Sequence, residues 1–417
     1  MDTTTSQKKT QSRLGLILIA YIAFISLGLP DGLLGVAWPS MRGFFGLPLD
    51  ALGMLLFAST TGYLTSSFLS GRVISRLGVG GVLAISCALT GSGLIGYTLA
   101  PAWWILVAIG VFVGFGAGAI DAGINTFVAS NFNEGMMQWL HASYGIGVTL
   151  SPIIMTTGLN IFHNWRWGYT VVGITQLSLA VCFFLTISMW QRAGRQLDSE
   201  SDNSENDNTV SETESNKILT DYHTALGETL RQPAVWLSLA IFFLYTGLEL
   251  VLGSWAYTLL TESRGIAPQI AGLWAGSYWG MFTVGRMLAG LYTKRIGVHT
   301  LVRGSLTGAL IGALLVWWNP SNTVSLIGVG LIGFAIAPVF PGLVSGTRDR
   351  VGARFAANTI GMQIGAAGLG GAVIPALAGA LAQRTSLEVI PIYLFVIIAL
   401  DLVLYNISVP RKQMKAA

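Results

Sequence analysis

The stretch Ser70–Leu83, SGRVISRLGVGGVL, returns later in the chain as Ala289–Val302, AGLYTKRIGVHTLV. Gly71 aligns with Gly290, Arg76 with Arg295 and Gly78 with Gly297, each pair 219 residues apart. The same interval separates Gly114-Phe115 from Gly333-Phe334, and Gly28-Leu29 from Gly247-Leu248. Each match is short, but a constant register along the chain marks an internal duplication. The chain therefore reads as two copies of one design.

Composition says what kind of design. Of 417 residues, 53% are hydrophobic and only 10% charged, where a soluble domain carries about a quarter charged. That identifies a polytopic membrane protein. A hydrocarbon core of about 30 Å needs about 20 apolar residues per helix. Twelve runs qualify: 14–40, 50–75, 79–99, 102–130, 136–160, 165–191, 233–261, 267–293, 299–318, 322–347, 355–383 and 388–409. The polar stretch Gln196–Asn216, QLDSESDNSENDNTVSETESN, divides them six and six and reads as a disordered linker. The following DYHTALGETLRQ, Asp221–Gln232, suits a short surface helix before Pro233 opens the seventh run. The expected fold is an all-α membrane protein of twelve transmembrane helices in two pseudo-symmetric six-helix halves. These are residues 1–191 and 233–417, joined by a linker over 192–232. The first run has basic flanks, Lys8, Lys9 and Arg13, and no small-residue cleavage site, so it reads as a retained span.

Basic residues set the orientation. With both termini inside, eighteen Lys and Arg fall on cytoplasmic segments and four outside: Arg42, Arg166, Arg264 and Arg384. Arg286 alone lies within a span. This bias predicts cytoplasmic termini. The tryptophans Trp103–Trp104, Trp165/Trp167 and Trp317–Trp318 suit the interfacial belt. Cys87 and Cys182 both sit in apolar runs, which implies neither a disulfide framework nor a metal site.

Three acids sit deep in the spans: Asp31, Asp121 and Glu249. Nine of the nineteen acids lie between Gln191 and Gln232, and Asp401 falls in a last helix expected to be peripheral. Insertion costs place three central acids at about 8–10 kcal/mol together. Helix packing alone needs no such expense, because glycine and alanine pack helices without charge. The acids therefore read as lining a water-filled path, against the alternative of structural pairs. In GFGAGAIDAGINTFVAS, Asp121 shares a helix face with Gly114, Gly118 and Asn125. In GLPDGLLGVAWPSM, Gly28–Met41, Pro30 and Gly32 loosen the backbone beside Asp31. Arg286 is the only basic residue at depth, and it can instead snorkel to the surface. His141 reads as a helix-end or packing residue.

These residues resemble a known family. DAGINTFVAS in span four, LHASYGIGVTLSP entering span five, YTGLELVLGSW, APVFPGLVSGT and GMQIGAAGLGGAVIP resemble major facilitator transporters of the fucose permease-like group. That group holds the fucose–galactose–glucose:proton symporters and their sodium-dependent glucose transporter-like relatives. The basic loop GRVISRLG also resembles the superfamily's loop between spans two and three, with Ser75 where an acid is common. The resemblance implies the major facilitator fold and a secondary active transporter of a small polar solute, a sugar above all, with coupling through Asp121. It implies that Asp31 serves substrate recognition and proton coupling, and that Asn125, Glu249 and Gln363 face the solute; Trp255, whose ring suits a sugar face or a core, and Tyr144, one turn from His141, are added as solute contacts from the residues themselves. Asp rather than Glu at 121, and Asn125-Thr126-Phe127 rather than Asn-Pro-Phe, depart from the pattern.

No metallopeptidase signature, nucleophile elbow or phosphate loop appears, so an enzyme is not expected. The alternatives are a proton-driven exporter of drugs or lipids, a sodium-coupled sugar symporter, and a non-transporting solute receptor. No cofactor is expected; the coupling ion is the proton, with sodium as its alternative. The partners expected are a small solute and the bilayer, with no nucleic acid, for a monomer in the inner membrane.

Overall fold

The computed structural model describes residues 3–131, 134–190 and 224–409; their regular structure is helical throughout. The linker Gln196–Asn216 and the side chains of Lys8, Lys9, Arg13, Gly71, Ser75, Thr126, Gly290 and Arg295 lie outside the description. Among the described residues, eleven helices are long and apolar enough to cross a membrane. In the first half they are Gly15–Phe45, Leu49–Ser70, Arg76–Leu99, Trp103–Asn125, Trp139–Phe162 and Arg166–Leu185, spans one to six. In the second they are Pro233–Ser263, Val298–Trp318, Asn322–Ser345, Asn358–Arg384 and Val389–Ser408, spans seven and nine to twelve. The place of span eight is taken by the helix Pro268–Ile296, 29 residues long. At 1.5 Å per residue this is about 43 Å, ample for a crossing. Gln269, Ser277, Thr283 and Arg286 make it more polar than its neighbours. The twelve-helix architecture is thus present.

Several boundaries moved. The first helix continues to Phe45 through Pro30 and Pro39. Proline removes a donor, so the carbonyl four residues earlier loses its helical partner. For Pro30 that carbonyl is Ser26, and the buried Gln176 of span six donates to it at 3.0 Å. Span six, expected to reach 191, breaks for one residue at Thr186, whose hydroxyl donates to the Cys182 carbonyl at 2.7 Å, and is helical again to Trp190.

The duplication is written in the backbone. Gly46 and Gly265 have φ of 64° and 61°, and Gly78 and Gly297 have 69° and 74°. Both pairs are 219 residues apart. Left-handed φ is cheap only for glycine, so the glycines make the same turns in each half. At Gly78 the helices of spans two and three meet directly at a kink, with non-helical φ of 69° and ψ of 164°. Packing repeats as well. A Cβ on Gly114 would lie 1.9 Å from the Ser59 carbonyl oxygen, and one on Gly333 2.2 Å from that of Tyr278. Ser59 and Tyr278 are again 219 apart. Small residues let backbones meet, the usual basis of helix association in lipid. Span one packs chiefly on span five, and span seven on span eleven.

The chain forms two compact units, one holding residues up to Phe45 and from Ala58, the other Gly46–Phe57 and the residues after the linker. In the second unit the Leu49 amide donates to Gln383 Oε1 at 2.7 Å. The short helix expected after the linker is Leu226–Thr229. It is tied to the start of span eleven by Arg354–Glu228 at 2.6 Å and by Asn358 Nδ2, which donates to the Thr224 carbonyl at 2.8 Å.

Candidate functional site

In the first unit, spans one and five meet so closely that a Cβ on Gly28 would lie 2.4 Å from the Tyr144 carbonyl oxygen, and one on Gly32 2.6 Å from that of Val148. A Cβ on Gly147 would come within 1.9 Å of the Ile25 carbonyl oxygen. This approach lets the Tyr144 hydroxyl reach across and donate to Asp31 Oδ2 at 2.6 Å. The Ser151 hydroxyl donates to the Leu29 carbonyl at 2.6 Å, pinning the backbone beside the acid. Asp31 itself is exposed on the unit, while Gly32 and Leu33 next to it are buried. His141 packs its ring edge-on to Phe24, centroids 5.7 Å apart, in keeping with the packing role expected of it.

A second carboxylate is held by spans two and four. Asn125 Nδ2 donates to Asp121 Oδ1 at 2.8 Å, and the Tyr63 hydroxyl donates to Oδ2 in a very short bond. Asp121 and Asn125 are one turn apart, as their spacing requires. Tyr63 escaped the sequence reading because a tyrosine in an apolar run looks like any packing aromatic. What brings it within reach is Gly118, three residues before Asp121. A Cβ there would lie 2.4 Å from the Tyr63 carbonyl oxygen. Asp31 acts electrostatically on the Tyr63 hydroxyl, so the two carboxylates belong to one polar cluster. The cluster is built from Asp31, Tyr63, Asp121, Asn125 and Tyr144.

In the second unit, half-buried Glu249 has its main-chain oxygen held by the Tyr278 hydroxyl at 2.6 Å. Arg286 from span eight acts on the Glu249 carboxylate. The Arg286 guanidinium lies 4.3 Å over the Phe282 ring. It is therefore held at depth by an aromatic face and a facing acid, not simply turned toward the surface.

Two of the expected solute-contacting residues, and one further acid, lie inside the packing of the second unit. Trp255 is fully buried, its Nε1 donating to the Pro375 carbonyl at 2.9 Å and its ring filling the space above Gly379. Gln363 is also fully buried: its Nε2 donates to Ser238 Oγ at 2.7 Å, and its Oε1 accepts from Thr347 Oγ1 at 3.1 Å. Both side chains tie helices together inside the unit. Asp401 is 0% exposed, on the inward face of a last helix whose Val396, Val403 and Ile407 are exposed.

At Asp121 each oxygen has its own donor, and the two donors differ. An amide N–H can only donate, whereas a phenol can donate or accept. Tyr63 can therefore hold Asp121 ionised, by donating, or protonated on Oδ2, by accepting. This is the arrangement a carboxyl needs if it is to take and release a proton without losing its place.

A family model described as Major Facilitator Superfamily matches residues 20–261 and 237–417. Bypass of stop codon protein 6 of Saccharomyces cerevisiae is 23% identical over 400 residues, 92% of this chain and 80% of that protein. Glucose/mannose transporter GlcP of Bacillus subtilis is 22% identical over 405 residues, 96% of each. Among solved structures, the partially occluded inward-open xylose transporter XylE from E. coli superposes with a TM-score of 0.69 at 14% identity. The match covers 94% of this chain and 98% of that one.

Proposed function

The chain belongs to the Major Facilitator Superfamily, and from that premise we propose that it carries a sugar across the membrane by alternating access, coupled to protons through Asp121. The observation that carries the reading is the two-donor hold on Asp121. Exposed Asp31, with Tyr144 donating to it, is the solute-recognising acid and can share the proton; a carboxylate and a phenol together recognise hydroxyl groups by charge-assisted bonds. Asn125 and Glu249 complete the polar groups assigned to the solute. The naming of a relative as a glucose/mannose transporter supports the sugar class. The protein works as a monomer without a cofactor, with both termini in the cytoplasm, in the inner membrane.

Coupling follows from linkage: if the solute binds better to protonated protein, the proton also binds better to loaded protein, and a pH gradient drives accumulation. The test uses protein reconstituted in vesicles with labelled D-glucose as probe. Asp121→Asn imitates the permanently protonated state. It is expected to lose accumulation driven by a pH gradient yet keep counterflow exchange, which needs no net proton movement. Accumulation equal to wild type refutes the assignment. Uptake that follows sodium at constant pH identifies the sodium-coupled alternative.

A further inference from the structure

At one end of the second unit, spans nine and twelve and the short helix Thr347–Val351 gather three basic side chains around one hydroxyl. His299 Nδ1 lies 2.9 Å from Tyr405 Oη. The charges of Arg350 and Arg303 both act on that same hydroxyl. The acid among them is Asp349, whose carboxylate approaches His299 Nε2 only to 3.7 Å and is half exposed. Asp401 lies one turn before Tyr405, as Arg303 lies one turn after His299, yet no hydrogen bond joins its carboxylate to the guanidinium.

The two arginines are under-used. Arg350 is 6% exposed and bonds through Nη2 alone, donating to the Leu343 carbonyl at 2.5 Å, Thr347 Oγ1 at 3.2 Å and Ser238 Oγ at 3.5 Å. Its Nε and Nη1, and Nε and Nη2 of Arg303, are buried with no partner. Burial pulls the Arg350 guanidinium down to about 10, so it keeps its charge at neutral pH. Charged donors shut away from water without acceptors are costly, and two buried guanidinium groups acting on one hydroxyl call for an acceptor with several anionic oxygens.

We propose that this end of the second unit binds a phosphate group between Arg303 and Arg350, beneath the His299–Asp349 contact. The long His299–Asp349 approach is the cover that yields to admit it. A phosphate reaches such a place from two sources, as a free anion or as the headgroup of an anionic phospholipid; basic pockets between helices on the cytoplasmic side are suited to the second.

The experiment uses the purified full-length protein in two arms. In one, inorganic phosphate is titrated against chloride at equal ionic strength in detergent. In the other, nanodiscs of phosphatidylcholine alone are compared with nanodiscs carrying increasing phosphatidylglycerol. Thermal unfolding is the readout, with wild type, Arg303→Gln and Arg303→Lys. Arg303 makes no bond through Nε or Nη2, so its replacement leaves the fold's own hydrogen bonds from these atoms unchanged. The anion is expected to raise the wild-type transition, and Arg303→Gln to need about tenfold more for the same shift. Arg303→Lys, keeping the charge without the fork, is expected between them and guards against a folding defect in the glutamine variant. Response in the phosphate arm assigns the free anion; response in the lipid arm alone assigns the headgroup. No wild-type response in either arm, or the same response in all three proteins, overturns the proposal.

Discussion

Replacing Gly114 by alanine tests the packing that places Asp121. The added Cβ would sit 1.9 Å from the Ser59 carbonyl oxygen, 2.6 Å from its carbon and 2.9 Å from its Cα. All three are backbone atoms, so no rotamer change relieves the clash. Ordinary contact begins at 3.4 Å, so spans two and four must part by about 1.5 Å. Overpacking of this kind costs about 1–3 kcal/mol. At roughly 2–4 °C per kcal/mol for a unit of this size, the thermal transition should fall by about 2–12 °C. Tyr63 lies one turn beyond Ser59, so the same displacement lengthens its bond to Asp121 and should impair proton-coupled uptake. Gly333→Ala repeats the experiment in the second half, where its Cβ would lie 2.2 Å from the Tyr278 carbonyl oxygen. Gly304→Ala is the control, with nothing within 4 Å of the new atom. Alanine is the better helix former by about 1 kcal/mol, so the control should melt at or slightly above wild type. If Gly114→Ala melts with the control, the close approach of spans two and four is wrong, and with it the placement of Tyr63.

Other outcomes follow from individual bonds. Gln363→Leu removes two buried hydrogen bonds, to the Ser238 and Thr347 hydroxyls, at about 1–3 kcal/mol together; differential scanning fluorimetry should show the loss while glucose binding is unchanged. Tyr144→Phe and Asp31→Asn remove the two ends of one 2.6 Å bond, so isothermal titration should find both weakened for the solute, and the double variant little worse than Asp31→Asn. Glu388 is held below the usual carboxylate range by the Arg264 guanidinium, which donates from Nε at 3.0 Å and Nη2 at 2.8 Å. A depressed carboxyl stabilises the fold above its unfolded value, near 4.3, and that stability is lost as pH falls through the folded value. Melting curves from neutral pH downward should therefore show an acid decline that Glu388→Gln blunts, modestly, because Glu388 is 43% exposed.

The fold was legible because the membrane imposes a length and a composition that can be counted, and because a duplication repeats its glycines. Gly78 and Gly297 aligned by sequence alone, and the structure gives both the same turn. The acids were legible for the same reason: a carboxyl in an apolar run is conspicuous. What composition does not carry is the rotation of one helix against another. Tyr63 meets Asp121 through the phase of spans two and four, and that phase depends on Gly62, Gly114 and Gly118 touching backbone. The inward turn of Gln363 and Trp255 was hidden for the same reason. A polar or aromatic side chain among glycines can face either way, and here both turn inward, toward Ser238 and Pro375. Whether Arg286 faced an acid or snorkelled stayed open because Glu249 sits 37 residues earlier in sequence on a different helix.

The glycine turns at Gly78 and Gly297 bear on what the chain can tolerate over evolutionary time. Helix runs directly into helix at Gly78, with no slack to absorb a change in length. One residue inserted or deleted there turns everything beyond it by about 100°. On span three, that swings Leu83 and Cys87 out of the core toward lipid and brings exposed Ile85 inward. Length variation should therefore collect in the segment between the halves, and these two corners should keep their residue count even where the side chains around them drift.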